Sequence, residues 1–431
     1  METPQFEKLQ QLQNEYGDVF QYRTFAGRVY VLIHPKLVRM FFRRPEIRRT
    51  PLLSVALGES VLASDGEHWQ SQRRSMLPSF REPRIAESVD LMVHAAREQA
   101  MEWKDKAATG QSVDIVDCMS RLTLSVVSRV LFTRDLIRES EEFLQAYAVV
   151  IQYIGDIGNA TAFNSSMSFA PGRNSEIRQA LETMNEVVYG IIGARREERQ
   201  RPDDLLSMLL EATTADGQSK LTNKQVRDEV VTMLLAGHET TALSMTWVWY
   251  LLARNPQAQC RLQSEIDSVL AGRAVRYADF ASIPYSRMVI DETLRLYPAV
   301  SLVFRQVGSD IEFEGYSFDQ GCGIAVSPYL THRHPGFWPD PERFDPERFD
   351  NARTQKREAF TYIPFGAGRH TCLGKHFALL EMQAVLITVL QMYQVHLEDP
   401  GEAVPKLLPT LRPVGGLKGR LEAHSSDGIA S

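Results

Sequence analysis

The sequence predicts a mainly α-helical protein with a minor β region, and three observations predict it. Helical periodicity dominates residues 90–211. A capping box, Thr222 with Gln225 three residues on, opens another long helix running to about Arg254, where Asn255-Pro256 stops it. Short alternating segments are confined to the N-terminal region and to residues 303–324, which Gly residues punctuate.

Taken in order, residues 19–23 and 29–33 flank a turn at Ala26-Gly27-Arg28 and read as a β-hairpin. His34-Pro35 opens a short helix. Residues 52–62 are apolar but follow Pro51 and are broken by Gly58, so a partly irregular loop is expected. Residues 67–76 read as a helix. Phe169-Ala170-Pro171-Gly172 is a loop. Residues 257–270 and 286–296 are helical, the second ended by Pro298. Residues 332–350 are rich in Pro and aromatic residues, with little periodicity. They hold a two-copy repeat, Pro341-Glu342-Arg343-Phe344-Asp345 and Pro346-Glu347-Arg348-Phe349-Asp350, too short to make a repeat fold. A last long helix begins near Cys372 and runs to about Tyr393, and a polar tail follows Arg420. No linker divides the chain, so residues 1–431 are expected to form one domain.

Composition narrows the function classes. With 44% hydrophobic residues, 431 residues can bury a large core, and a net charge of −6 argues against a nucleic-acid partner held by bulk charge. No apolar run approaches the roughly 20 residues that span a bilayer, so no membrane anchor is expected. The N-terminus is polar and lacks the pattern of a signal peptide, which makes a cytoplasmic enzyme the expectation. The four cysteines are far apart and form no C-x-x-C pair, which disfavours a disulfide framework or a structural zinc site.

One cysteine has unusual neighbours: Phe365-Gly366-Ala367-Gly368-Arg369-His370-Thr371-Cys372-Leu373-Gly374. The glycines allow a tight loop that brings backbone close to a flat ligand. The cysteine stands where loop is expected to become helix, from Leu373 onward. There free N–H groups and the positive dipole end favour an anion and lower the thiol's titration point. Phe365 can pack on the sulfur, and Arg369 and His370 offer donors to carboxylates. A lone cysteine at a helix start is more often an inert core residue. A dinucleotide loop fails because Thr371 stands where a third glycine is required.

Three further constellations carry chemistry. In Ala236-Gly237-His238-Glu239-Thr240-Thr241 the glycine leaves room beside the helix. The Thr240 hydroxyl can bond back to the Ala236 carbonyl, and Glu239 with Thr240 pairs an acid with a hydroxyl for proton relay. The zinc pattern H-E-x-x-H is incomplete, since Ala242 replaces the second His. A polar patch on a core helix is the bland alternative. Glu292 and Arg295 lie on one helical face and can pair. Trp69 and Arg73 share a face of the helix at residues 67–76, whose bland reading is an amphipathic helix with a basic side.

Phe365, Gly368, Cys372 and Gly374 match F-x-x-G-x-x-x-C-x-G, and the stretch closely resembles the cysteine-ligand loop of the cytochrome P-450 superfamily. The segment at Ala236 is similar to the family's oxygen-activating helix, residues 292–295 to its E-x-x-R helix with Arg348 as third member, and Trp69 with Arg73 to its W-x-x-x-R. Together these motifs span Gly66 to Gly374 in the family's order. The resemblance implies a single-domain cytochrome P-450 fold and haem b, with Cys372 as the iron ligand. It implies that Trp69, Arg73, Arg305 and His370 bind propionates, and that Ala236, Gly237, Phe365, Gly366 and Gly374 lie against the cofactor. Thr240 would steady iron-bound oxygen, and Glu239 would deliver protons. The reaction implied is insertion of one atom of O₂ into a hydrophobic small molecule by hydroxylation or epoxidation. Electrons would come from an external ferredoxin- or flavodoxin-type partner, because the chain ends soon after the cysteine helix. Lys375, Arg74, Lys356 and Arg357 are candidates for its docking surface, and Phe163, Met167, Leu302 and Val303 for the pocket lining. A peroxygenase or isomerase, or a haem sensor, is the alternative; either has less use for Glu239 beside Thr240.

Overall fold

The computed structural model describes residues 5–24, 27–50, 54–136, 141–163, 173–213, 219–399, 401–407 and 410–424. Its architecture is mainly α-helical, built around the helix Asn223–Arg254. The capping box forms: the Thr222 hydroxyl accepts the Gln225 N–H at 3.3 Å, and Gln225 Oε1 accepts the Thr222 N–H at 2.9 Å. Residues 226–235 and 241–252 of this helix are all buried, so it is wrapped on every side. It packs on Ile115–Phe132 and Arg173–Glu197, and the helix Lys375–Met392 packs on it and on Val89–Met101. Gly237 allows the close approach to Ile115–Phe132, since a Cβ there would lie 3.2 Å from the Val127 side chain.

The hairpin Val19–Thr24 with Gly27–Leu32 forms in the register Val19↔Leu32, and Ala26 of its expected turn lies outside the described residues. Gly27–Leu32 then pairs in parallel with Gly323–Val326. Val303–Val307 and the short Ile47–Arg48 complete a five-stranded sheet beside the helices. Two features differ from expectation. The helix after the cysteine starts at Lys375, not Leu373, because Leu373 and Gly374 remain in the loop and Gly374 is its N-cap. Lys418–Ala423 is a strand paired with Tyr393–Leu397 and Val113–Asp114, so ordered structure runs past Arg420. Only Gly419 and Leu421 of that strand are buried, which is why it reads as polar in sequence. The loop expected at Phe169 to Gly172 lies outside the described residues, as does Met167; nothing is said of the Phe163 side chain.

The irregular segment 332–350 is held from beneath by one buried cation. Arg295 makes two bonds to Glu292, Nε to Oε2 at 2.7 Å and Nη2 to Oε1 at 2.8 Å, both side chains fully buried. It also donates to the carbonyls of His332 (3.0 Å), Pro341 (2.6 Å) and Arg343 (3.1 Å). Arg348 approaches Glu292 at 3.4 Å, completing the trio expected from the sequence. The neutral ring of His332 continues the network. Its Nδ1 lies 3.2 Å from the Arg295 carbonyl, and its Nε2 accepts the Ile363 N–H at 2.8 Å. Burial, with Arg295 nearby, pushes this imidazole down to about 3, so the bond from Ile363 persists across the neutral range.

At its N-terminal end the central helix clasps the loop before Trp69. Asp228 accepts the Glu59 N–H at 3.2 Å, and both oxygens of Glu229 accept the Val61 N–H, at 3.1 and 3.2 Å. Gly58 is required here, because a Cβ would fall 2.1 Å from the Asp228 carboxylate.

Two predictions follow from these contacts. Arg295→Ala leaves a buried carboxylate short of its partner and three carbonyls without their donor. It should cost about 3–5 kcal/mol, read as a lowered urea midpoint, and Arg295→Lys should not restore it because an ammonium cannot span all the acceptors. Burial pushes the Glu229 carboxyl up to about 8, so the folded chain holds that proton more tightly than the unfolded chain. Ionisation therefore costs stability as pH rises from about 4.5 to about 8. The Tm advantage of Glu229→Gln over wild type should grow between pH 5 and pH 9; a difference independent of pH would contradict a buried, titrating Glu229.

Candidate functional site

Two loop glycines make the cysteine loop possible. Gly366 and Gly368 adopt φ of +66° and +67°, and a Cβ on Gly368 would lie 2.5 Å from the Phe42 carbonyl oxygen. The loop closes on itself through the Cys372 N–H, which donates to the Phe365 carbonyl at 2.9 Å, while the Phe365 ring packs on the main core. Gly374 has an ordinary φ of −84° and contributes its N–H to the Cys372 sulfur.

Cys372 keeps accessible surface, yet it is enclosed by protein so fully that burial pushes its thiol up. The two facts agree for a group on the wall of an internal hollow. The Gly374 N–H, Arg73 and Lys375 pull the other way without prevailing. The thiol expected to be lowered by a helix end is thus raised, because the helix starts at Lys375 and leaves one N–H in reach. Such a sulfur gains its anionic form by exchanging its proton for a metal ion.

The central helix is left unsealed at the motif alone. Between Val226 and Leu252 every residue is buried except Ala236, which is exposed, and Gly237 and Thr240, which are half-buried. The Thr240 hydroxyl donates to the Ala236 carbonyl at 2.7 Å, as the sequence predicts. Glu239 turns elsewhere. It is buried, and its Oε1 accepts from the Thr410 hydroxyl at 2.7 Å and from Arg412 Nε at 3.0 Å, with Arg412 Nη2 as a further partner. His238 faces Tyr147 edge-on at 4.9 Å, and burial pushes it down to about 4, so it is neutral. Among the described residues no cluster of three or more His, Cys, Asp or Glu side chains could hold a metal ion.

Beside the cysteine loop lies an excess of donors. Trp69 is buried with its Nε1–H unpaired among the described residues, and the His370 ring meets its face edge-on at 4.3 Å. Arg73 and Arg49 lie against the same indole, at 5.7 and 6.0 Å. Asp65 is the carboxylate here, 3.3 Å from His370 Nε2 and 3.8 Å from Arg369. Burial and the neighbouring Arg49 push Arg305 down to about 10, and burial also brings Arg49 to about 10. Burial, Arg49 and Arg305 push His370 down to about 3, so its ring is neutral. One carboxylate against four arginines and an orphaned indole N–H is a donor-rich, acceptor-poor arrangement. It fits a flat group that brings carboxylates of its own, which Trp69, Arg73, Arg305 and His370 would hold.

Arg49, Asp65, Thr410 and Arg412 were not found from sequence, and no local pattern around them signals a site. Of the expected basic surface, Arg74 and Lys356 are exposed and Lys375 is half-buried. Arg357 instead stacks on Phe349 at 4.2 Å and Trp338 at 4.9 Å and donates to the Arg348 carbonyl, so it is engaged internally. Leu302 packs on the small cluster of Phe6, Leu9 and Leu330, and Val303 on that of Leu37 and Ile324.

The cytochrome P450 family model matches residues 1–417. The chain is 32% identical over 385 residues to cyclooctat-9-en-7-ol 5-monooxygenase of Streptomyces melanosporofaciens, covering 88% of this chain and 83% of that one. It is 29% identical over 419 residues to pentalenene oxygenase of Streptomyces avermitilis, covering 95% and 91%. The crystal structure of the cytochrome P450DA heme domain superposes with a TM-score of 0.88 at 25% identity, covering 97% and 93%. No described helix is long and apolar enough to cross a membrane. With this cysteine loop and the donor-rich cluster beside it, the chain belongs to the cytochrome P450 family and is a haem-dependent monooxygenase.

Proposed function

We propose that Cys372 ligates the haem iron and that this chain oxygenates a hydrophobic small molecule with electrons from a separate ferredoxin- or flavodoxin-type protein. The observation that carries the reading is the cluster of donors beside the Cys372 loop, with Arg73 acting on the sulfur and His370 against Trp69, and Asp65 as its one carboxylate. When bound, the haem supplies O₂ reduction and transfer of one oxygen atom to substrate, the other leaving as water. The protein supplies everything else. Gly366 and Gly368 set the loop so that Cys372 faces the hollow, and Phe365 shields the sulfur from water. Trp69, Arg73, Arg305 and His370 hold the propionates by charge and N–H donation. Ala236 leaves room beside the helix, whereas the Gly237 position expected to do so is packed against Val127; Thr240 presents its hydroxyl on the open face, and Glu239 is the acid that renews the proton. Two relatives are named for a mono-alcohol and an olefin, cyclooctat-9-en-7-ol and pentalenene, which supports a substrate of low polarity. Of the expected partner-docking charges, Arg74, Lys356 and Lys375 remain; Arg357 does not.

Two measurements test this. Dithionite-reduced wild type with carbon monoxide should give a strongly red-shifted Soret band, absent in Cys372→Ser; a band indifferent to the substitution would remove the ligand assignment. Thr240→Ala should still bind haem and substrate but lose about tenfold in product per electron, the balance recovered as hydrogen peroxide. Undiminished coupling in that variant would show that the hydroxyl has no part in proton delivery.

A further inference from the structure

At the point where an acid and a hydroxyl have to exchange a proton, each is bonded elsewhere. Thr240 donates to the Ala236 carbonyl, while Glu239 is held by a separate part of the chain. Its holders are Thr410 and Arg412, on and beside the strand Leu411–Pro413, some 170 residues further along. All of these bonds fall on Oε1; among the described residues Oε2 accepts none. The geometry is asymmetric: the Glu239 side chain is 5% exposed and that of Arg412 33%. The carboxylate therefore lies inside and its counter-charge at the boundary.

The strand that carries Arg412 is itself fastened. The Trp247 indole N–H, two helical turns beyond Glu239, donates to the Leu411 carbonyl at 2.9 Å, and the Leu411 N–H donates to the Ala299 carbonyl at 3.0 Å. The charged and titratable groups around Glu239 are Arg412 from this strand, Tyr147 from the helix Glu141–Phe163, and His238 on its own helix. Arg412 is the cation among them, since the Tyr147 phenol and His238 ring are both neutral where they are buried.

We propose that Arg412 is a positioning residue for proton delivery: with Thr410 it latches Glu239 away from Thr240, and the relay runs when this latch opens. The inference rests on the reading of Glu239 and Thr240 as the relay pair. It assigns the control of the relay to the C-terminal hairpin rather than to the helix that carries the acid. An ion pair can perform this function because its partner is half open to water: the guanidinium can be hydrated as it releases the carboxylate, so the pair is not trapped by burial.

The test uses the holoenzyme in four variants: Glu239→Gln, Arg412→Gln, Arg412→Lys and Thr410→Val. The carbon monoxide spectrum first establishes an intact cysteine site. Crystal structures then report the Glu239 side chain, and the fraction of electrons lost to hydrogen peroxide is followed against pH. In Arg412→Gln, Glu239 should turn toward the Thr240 hydroxyl and the pH profile of coupling should no longer superimpose on that of wild type. Arg412→Lys should restore the wild-type profile. An Arg412→Gln protein with Glu239 unmoved and a superimposable profile would overturn the proposal. If Glu239→Gln itself leaves coupling unchanged, the relay reading falls and the latch with it. If Glu239→Gln uncouples while Arg412→Gln changes nothing, the latch alone falls. Should Arg412→Gln fail to fold, Thr410→Val removes one bond from Glu239 without changing charge. It should move the profile the same way by less, and an unchanged profile would then count against the latch.

Discussion

Much of this structure hangs on a single guanidinium, that of Arg295. A fully buried arginine is tolerable only when its charge is matched and each N–H finds an acceptor. Glu292 supplies the charge, and three carbonyls from residues 332–343 supply the remaining acceptors. That segment has too little periodicity to form a helix or strand of its own, so Arg295 gives it a shape. His332 passes the constraint on by accepting the Ile363 N–H, nine residues before Cys372. Position at the sulfur is thereby inherited from an ion pair in another part of the core.

Charge organises the site as much as shape does. Burying arginines around one aspartate is unfavourable in isolation, and the low titration points of Arg49, Arg305 and His370 express that cost. A site that tolerates such a cost is built to receive negative charge, which the propionates of a haem held there would provide. The same reasoning explains why a raised Cys372 thiol is compatible with ligation. Burial opposes the free thiolate, but a bound metal cation replaces the proton and removes the penalty.

The central helix joins these elements because it is buried nearly throughout. The few positions where it is not sealed are Ala236, Gly237 and Thr240. Different points along it carry different duties. Near the start, Asp228 and Glu229 bind the loop that leads to Trp69; further along, Glu239 binds the C-terminal hairpin. Two separate segments are tied to one rigid rod, so their spacing is set by helix geometry rather than by loop sequence.

By itself the sequence determined the helical class, the capped start at Thr222, the Thr240 back-bond, the Glu292–Arg295 pair and the cysteine loop. These depend on neighbours within four residues, or on a motif whose spacing is short enough to read directly. Only the tertiary structure decided who partners Glu239, since Thr410 and Arg412 are ordinary residues until a hairpin brings them across some 170 positions. It also decided that Arg49 joins the donor cluster, that Arg357 is clamped under aromatic rings, and that Lys418–Ala423 is a strand. The direction of the Cys372 shift was likewise beyond local reading. A helix start lowers a thiol in proportion to the N–H groups within reach, whereas burial is the sum of everything the fold packs around it.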